Sequence, residues 1–301
     1  MQHDIRDIDI KKTWVLSSTL NFTRYFFKQQ YKRKFIVGDH HRMISEKLDE
    51  VLAGKINRLI INIAPRYSKT EMAVKNFIAM GLALNGKARF IHLSYSDDLA
   101  LDNSKAVQDI LNEPAYQSLF QTRPVGRNAK RWETSEGGGL YAVSSSGQVT
   151  GFGAGTVDLE EKELEDEVES LDLAIEASEE FGGAIVIDDP IKPDDALSPT
   201  IREKVNRKFE TTIRNRVNSR KTPIIIIMQR LNEDDLTGYL QKLEPEEWEV
   251  LSIPCIQTDP ETGEERALWP FKHTLEELYK IRDNNSWVFN TQYQQNPMPM
   301  E

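Results

Sequence analysis

The 301-residue sequence has a single cysteine, Cys255, so no disulfide can form within the chain. Its longest uninterrupted apolar run is the five residues Ile224–Met228, far short of the ~20 that a membrane-spanning helix needs. The first residues, 1–7, lack the basic and then apolar layout of a signal peptide. These absences predict a chain without a membrane span that works in a reducing, intracellular setting.

An excess of basic residues is also absent. The net charge is −10, which by itself argues against a nucleic-acid partner. However, twelve of the 48 acidic residues and one of the 38 basic residues lie in residues 158–180, so the rest of the chain is close to neutral. We predict that residues 158–180 form an exposed insertion. Basic clusters elsewhere, above all residues 202–221, are candidates for contacting nucleic acid, although such clusters are commonly only solvated surface.

Residues 59–71 read as a buried strand, a short loop ending in Ser68-Lys69-Thr70, and the start of a helix. This order is typical of a nucleotide-binding phosphate loop, in which backbone N–H groups and the helix dipole meet the phosphates. Lys69 would add a positive charge, and the Thr70 hydroxyl could hold Mg²⁺. The strict spacing of that motif has glycine where this chain has Ile63 and Ser68, so an ordinary helix start is an equal alternative from this segment alone.

Two further apolar runs end in polar residues. Residues 184–187 are followed by Asp188-Asp189, and residues 223–228 are followed by Gln229-Arg230. Because strands alternate with helices along the chain, we predict a mostly parallel sheet covered on both faces, with ligands at its carboxyl edge. In the residues after the second run, Asn232 is predicted to cap the next helix.

Phosphoryl transfer to water needs a cation beside the phosphates, an acid to hold Mg²⁺, a base to orient water and a sensor of the γ-phosphate. Lys69, Asp188, Asp189 and Gln229 could fill these roles in that order, with Arg66 as an added charge. Each segment alone also fits a turn after a buried strand. Their occurrence together favours an ATP site.

Several segments together resemble the ATPase portion of the large subunit of a tailed-phage terminase, a DNA-packaging motor. The resemblance extends over about residues 35–299 and rests on these segments: 48–55, 59–71, 94–96, 150–153, 185–190 with 192–193, 229–236 and 292–297. The segments are specific jointly rather than singly.

The resemblance implies a P-loop NTPase fold of the additional-strand, catalytic-acid class and an Mg²⁺-dependent ATPase that moves double-stranded DNA into a procapsid. It also implies partners: duplex DNA, the portal protein of the procapsid, the small terminase subunit and other copies of the chain in a ring. The expected location is the host-cell cytoplasm rather than the mature virion. In that family a nuclease domain follows the segment that matches residues 292–297, and the chain stops at Glu301, so no nuclease activity is expected of it.

The predicted division is an ATPase core with an N-terminal helical extension in residues 1–240 and a linker or lid subdomain in residues 241–301. Carried over residue by residue, the resemblance implies an ATP-binding loop of Pro65, Arg66, Tyr67, Ser68, Lys69, Thr70 and Glu71. It implies catalytic roles for Asp189, Lys69 and Arg66, metal ligation by Thr70 and Asp188, coupling or sensing by Gln229 and Arg230, and Arg127 or Arg131 as an arginine finger for a neighbouring subunit.

The sequence departs from the family at two positions, because the family usually has glycine at the position of Ser68 and glutamate at that of Asp189. If the loop needs a positive φ at Ser68, the serine costs about 1 kcal/mol and weakens ATP binding. Two alternatives stay open: another nucleic-acid translocating ATPase, and a nucleotide-binding capsid assembly module with little turnover. The residue that contacts adenine also stays open among Gln29, Lys32, Phe35 and His40.

Overall fold

The computed structural model describes residues 2–144, 181–214 and 221–299. The predicted acidic insertion at 158–180 and the segment 150–153 lie outside the described residues, as does the part of the basic stretch at 215–220. Within the described ranges, no helix is both long enough and apolar enough to cross a membrane.

Eight strands form the central sheet in the order β3-β4-β5-β2-β6-β7-β1-β8. The six strands from β5 to β8 in this order run parallel, and β3 and β4 add an antiparallel edge. The strands are β1 (Arg58–Ile63), β2 (Arg89–Ser94), β3 (Pro124–Val125), β4 (Arg131–Thr134), β5 (Gly139–Ser144), β6 (Ile185–Asp188), β7 (Ile224–Met228) and β8 (Glu249–Ile253). The predicted mostly parallel sheet is therefore confirmed.

The central strands are apolar on both sides because both faces of the sheet are covered. All five residues of β7 are buried, as are all four of β6. Leu59, Ile61 and Ile63 of β1 face one apolar cluster, and Ile60 faces another on the opposite side. This alternation is the two-residue period of a strand, and burial on both faces explains the continuous isoleucine runs.

Helices pack on the two faces in unequal number. One face carries α2 (Thr19–Tyr31), α3 (Asp39–Leu52), α4 (a π-helical turn, Glu71–Asn76, and then Phe77–Leu84), α5 (Asp97–Asn112) and α6 (Pro114–Leu119), and α1 (Gln2–Leu16) packs on α2. The other face carries α7 (Pro199–Lys208, continued by the π-helical Phe209–Ile213) and α8 (Leu236–Leu243). The chain breaks between α1 and α2 at Ser18, whose side chain caps α2.

Residues 254–299, called the C-terminal segment below, follow the last strand of the sheet. They form a two-stranded ribbon of β9 (Ile256–Thr258) and β10 (Glu265–Ala267), then α9 (Leu275–Asn284) and α10 (Ser286–Val288, continued by the π-helical Phe289–Tyr293). The sequence-based division at 240/241 puts β8 in a second unit, yet β8 pairs with β1 in the central sheet. β8 is half exposed, as is typical of an edge strand, so it lacks the continuous apolar run that predicts the central strands.

The helix after β7 is capped by Asp235, and the prediction that Asn232 caps it is wrong. Asp235 is extended, and its carboxylate accepts the N–H of Gly238 at 3.0 Å. The same carboxylate accepts the N–H groups of Leu231 (2.9 Å) and Asn232 (3.3 Å). It therefore fixes the loop between β7 and α8 as well as the helix start.

His92 joins three elements of the core. It is fully buried in β2, and its Nδ1 bonds to the carbonyl of Val186 in β6 at 2.9 Å. Because a carbonyl can only accept, Nδ1 carries the proton, and Nε2 accepts from the Asn103 amide of α5 at 3.0 Å. Burial lowers the pKa of His92 from 6.5 to about 4, and the hydrogen bond to Val186 opposes this shift.

The depressed pKa of His92 predicts a loss of stability in mild acid. The unfolded chain takes up the proton near pH 6.5 and the folded chain only near pH 4, so stability is full above pH 6.5 and falls as the pH drops below it. Between pH 7 and 5 this one group should cost about 2 kcal/mol. In urea unfolding, the free energy of unfolding of His92→Gln should fall by about 2 kcal/mol less between pH 7 and 5 than that of the wild type. Equal falls in both proteins would contradict the assignment of a depressed pKa to His92.

Candidate functional site

The loop after β1 and the ends of β6 and β7 meet at one edge of the sheet. In the sheet, β7 lies between β1 and β6, so the end of β7 lies between the loop and the two aspartates. The three elements enclose a cleft of ≈ 360 Å³. It is lined by Pro65, Arg66, Ser68, Lys69, Thr70, Glu71, Tyr95, Asp189, Ile191, Pro193 and Gln229.

Two side-chain contacts connect the loop with the end of β6. The ammonium of Lys69 lies 3.1 Å from Oδ1 of Asp189, and the Thr70 hydroxyl donates to Oδ2 of Asp188 at 2.7 Å. Lys69 is buried and Asp189 is about one-third exposed. A buried ammonium needs a charged partner, so Lys69 is held at the cleft by the carboxylate.

Asp188 is buried within this arrangement. Burial, and then the neighbouring charge of Asp189, raise its pKa to about 7, while Lys69 and the bond from Thr70 act in the opposite direction. One of its oxygens, Oδ1, is buried without a hydrogen-bond partner. Oε1 of Gln229, at the end of β7, is likewise buried and unpaired. Such acceptors are costly in a folded protein and indicate that a donor or a cation binds nearby. Gln229 lines the cleft, whereas Asp188 lies behind it and reaches it through its contact with Thr70.

The loop takes the shape that glycine would allow, although it has none. Ser68 has φ +64° and Arg66 has φ +61°, both in the left-handed region. At the end of β6, Asp189 has φ +43°. Non-glycine residues rarely adopt this conformation, and residues strained in this way cluster at functional sites. The positive φ at Ser68 is the condition under which serine in place of glycine is expected to cost about 1 kcal/mol of stability.

Not every predicted site residue faces the cleft. Tyr67 is fully buried on the far side of the loop, and its carbonyl oxygen lies 3.1 Å from Nε2 of His40. His40, one of the residues considered for adenine contact, is itself completely buried there. The guanidinium of Arg230 turns away from the cleft, and its Nε lies 3.0 Å from both oxygens of Asp235.

Three residues that line the cleft were absent from the predicted set: Tyr95, Ile191 and Pro193. Tyr95 directly follows β2, the neighbour of β6, and its N–H donates to the carbonyl of Asp189 at 3.0 Å. The signal for Tyr95 was present in the sequence, since every parallel strand ends at this edge. Ile191 and Pro193 gave no such signal, because they lie in an irregular loop after Asp189.

Arg127 and Arg131 are both exposed and lie on the antiparallel side of the sheet. Because β4 runs opposite to β5, its first residue Arg131 lies toward the edge where the parallel strands end. Three strand spacings separate β4 from β6, which is roughly 14 Å at ~4.8 Å each. Neither arginine therefore lines the cleft of its own chain.

The sequence matches no family model, and no curated protein is significantly similar to it. Among solved structures, the fold is similar to the crystal structure of the HK97 bacteriophage large terminase, with a TM-score of 0.48 and 10% sequence identity. The similarity covers 88% of this chain and 51% of that chain, so this chain spans about half the length of that protein. The function has to be inferred from the chemistry of the cleft.

Because the backbone at Ser68 is left-handed, glycine should be more stable than alanine at this position, the reverse of the usual order. Ser68→Gly should be more stable than Ser68→Ala by about 1 kcal/mol, because alanine keeps the strain at φ +64° and glycine removes it. At the exposed Ser118 in α6 the same pair should show the usual order, with alanine more stable by about 1 kcal/mol. Chemical denaturation of the four variants measures both differences, and the same order at both sites would contradict the loop geometry.

Proposed function

We propose that the chain is an Mg²⁺-dependent ATPase whose phosphate loop is residues 65–71. The observation that carries this proposal is the pairing of Lys69 with Asp189 and of Thr70 with Asp188 in a single cleft. A cation, a hydroxyl and two acids in this order are what nucleotide hydrolysis requires. The strand order adds support. In the additional-strand class one more strand lies between the strand before the phosphate loop and the strand that ends in the acids, and β7 lies in this way between β1 and β6.

Each residue then has a defined task. Lys69 and Arg66 neutralise the phosphates, and the N–H groups at the start of α4 bind phosphate oxygens. Asp189, which is partly exposed in the cleft, orients the attacking water and takes its proton. Gln229 lines the cleft, and the N–H groups of its side-chain amide would donate to the γ-phosphate and so sense it.

The donor set at Thr70 and Asp188 fits Mg²⁺. Both groups offer oxygen, which is the ligand that Mg²⁺ prefers, and Oδ1 of Asp188 is a buried acceptor without a partner. When bound, Mg²⁺ would neutralise charge on the phosphates and on the two adjacent acids. Thr70 and Asp188 would hold it, and Lys69 would leave Asp189 for the phosphates.

We further infer that the ATPase serves as the motor of a terminase large subunit that moves duplex DNA into a procapsid. The joint occurrence of the segments resembling that family supports this role. Portal protein, small terminase subunit and a ring of identical chains are the partners that follow from it. Arg127 and Arg131, which are exposed near the carboxyl edge of the sheet, are available to reach the cleft of a neighbouring chain.

Turnover should depend on the ion pair of Lys69 with Asp189. Lys69→Ala should lower Mg²⁺-dependent phosphate release from ATP by about 100-fold or more, because it removes charge stabilisation of the transition state. Asp189→Asn should lower it by a similar factor through loss of the base. Continuous phosphate-release assays at saturating ATP measure both effects.

The exposed pair of Lys242 and Asp234 provides the matched control, because it joins the same two residue types outside the cleft. Lys242→Ala and Asp234→Asn should leave turnover within about twofold, as expected for an exposed pair. Wild-type protein that binds ATP without releasing phosphate, even with duplex DNA and portal-bearing shells present, would support the assembly module instead.

Binding to duplex DNA should weaken with salt and depend little on sequence. We expect affinity for a fluorescent duplex to fall about tenfold or more between 50 and 200 mM salt, as for proteins that contact phosphates. Replacing Lys204 and Arg207, both exposed on α7, by alanine should lower the salt slope by about two. The matched double variant Lys55→Ala with Lys105→Ala, exposed elsewhere, should leave the slope unchanged. A salt-independent affinity would count against translocation.

A further inference from the structure

Tyr67 occupies a special place in the phosphate loop. It lies between Arg66 and Ser68, the two residues with positive φ that line the cleft. Its own side chain points the other way and is completely buried. The backbone conformation that presents the loop to the cleft is therefore the one that directs Tyr67 into the protein.

The side chain of Tyr67 enters a cluster built largely by the C-terminal segment. Its hydroxyl pairs with Nδ1 of His273 at 2.9 Å, and the two rings stack. The ring of Trp269 lies 5.8 Å from that of Tyr67, and Cys255 lies near the Tyr67 hydroxyl. His40 completes the surroundings from α3. We call these residues, with His41, the Tyr67 cluster.

Hydrogen bonds in the cluster fix the protonation of its two adjacent histidines. Nε2 of His40 faces the carbonyl of Tyr67 and must donate, so its Nδ1 is an acceptor. Nδ1 of His41 accepts the N–H of Gly38 at 2.8 Å, so its Nε2 carries a proton. Both rings are neutral, because burial lowers the pKa of His40 to about 4 and that of His41 to about 2.

One acceptor and two donors in this cluster have no hydrogen-bond partner: Nδ1 of His40, Nε2 of His41 and Nε1 of Trp269. The His40 and His41 rings are 3.8 Å apart, and both lie about 5 Å from that of Trp269. Unpaired buried polar atoms are costly, and a small shift of these rings could pair a donor with the acceptor. A rearrangement of this kind would give the cluster a second packing, which is what a two-state coupling element requires.

A second contact joins the C-terminal segment to the site. Oε1 of Gln295 accepts the N–H of Arg230 at 2.8 Å, directly after Gln229. Gln295 itself has φ +56°. The neighbouring Gln294 holds the segment together, because its amide bonds with both the N–H and the carbonyl of Ile256. The segment therefore contacts both the phosphate loop and the end of β7.

We propose that Tyr67 is a positioning residue that couples the conformation of the phosphate loop to the packing of the C-terminal segment through His273. The coupling acts in both directions, so that the segment holds the loop in its left-handed shape and a change in the loop is transmitted to the segment. Its use in an ATPase cycle rests on the proposed function, whereas the coupling itself needs no ligand.

Hydrogen exchange of the full chain without ligand tests the coupling. His273→Ala and Tyr67→Phe should each raise amide exchange in residues 68–74 about fivefold or more, a factor corresponding to a small loss of local stability. His273→Asn should stay close to wild type, because its amide can replace Nδ1. Tyr279→Phe, which removes a hydroxyl bonded to Glu265 in the same segment, should leave residues 68–74 unchanged. If His273→Ala speeds exchange in the C-terminal segment only and leaves residues 68–74 unchanged, the proposal is overturned.

A second arm of the experiment separates this inference from the proposed function. With Mg²⁺ and ADP, wild type should change exchange both in residues 65–71 and in residues 268–280. With ADP saturating for each protein, Tyr67→Phe should keep the first change and lose the second. If Mg²⁺ and ADP change exchange nowhere in the wild type, the nucleotide site is contradicted, and the ligand-free comparison still decides the coupling. If exchange in residues 268–280 changes equally in the wild type and in Tyr67→Phe, the coupling is overturned.

Discussion

The contact of a buried ammonium with one of two adjacent carboxylates is the interaction on which the site depends. Asp188 and Asp189 repel each other, and burial of Asp188 adds to the cost of its charge. Lys69 reaches them from the loop after β1, across the end of β7, and lies 3.1 Å from Asp189. If the loop were shaped differently, the cation would not reach the acids. The backbone of the loop is therefore as important to the site as its side chains.

That backbone is strained. Among the described residues, five that are not glycine have positive φ. Lys32 ends a helix, and the other four are Arg66, Ser68 and Asp189 in the cleft and Gln295 at its contact with β7. Strain of this kind persists only where the surroundings enforce it. On the far side of this loop, which contains no glycine, Tyr67 is packed against His40 and His273.

The sheet was predictable because its central strands are short apolar runs with distinct polar ends. Prediction located β1, β6 and β7 to within about two residues, since burial on both faces leaves little room for polar residues inside a strand. The edges were not predictable. β8 is half exposed, and β3 and β4 are held by pairing rather than by an apolar pattern. Edge strands depend on partners that are distant in sequence, and local patterns do not record those partners.

The sequence alone determined which residue types meet at the carboxyl edge, because each apolar run ends in the polar residues that its strand delivers there. The tertiary structure alone decided which of them face the cleft. Gln229 faces it while Arg230 turns to Asp235, and Ser68 faces it while Tyr67 turns to His273. The choice at Tyr67 is made by a partner 206 residues away, and the left-handed φ of Ser68 depends on the same packing. Side-chain direction in an irregular loop follows from such long-range contacts, and no local pattern encodes it.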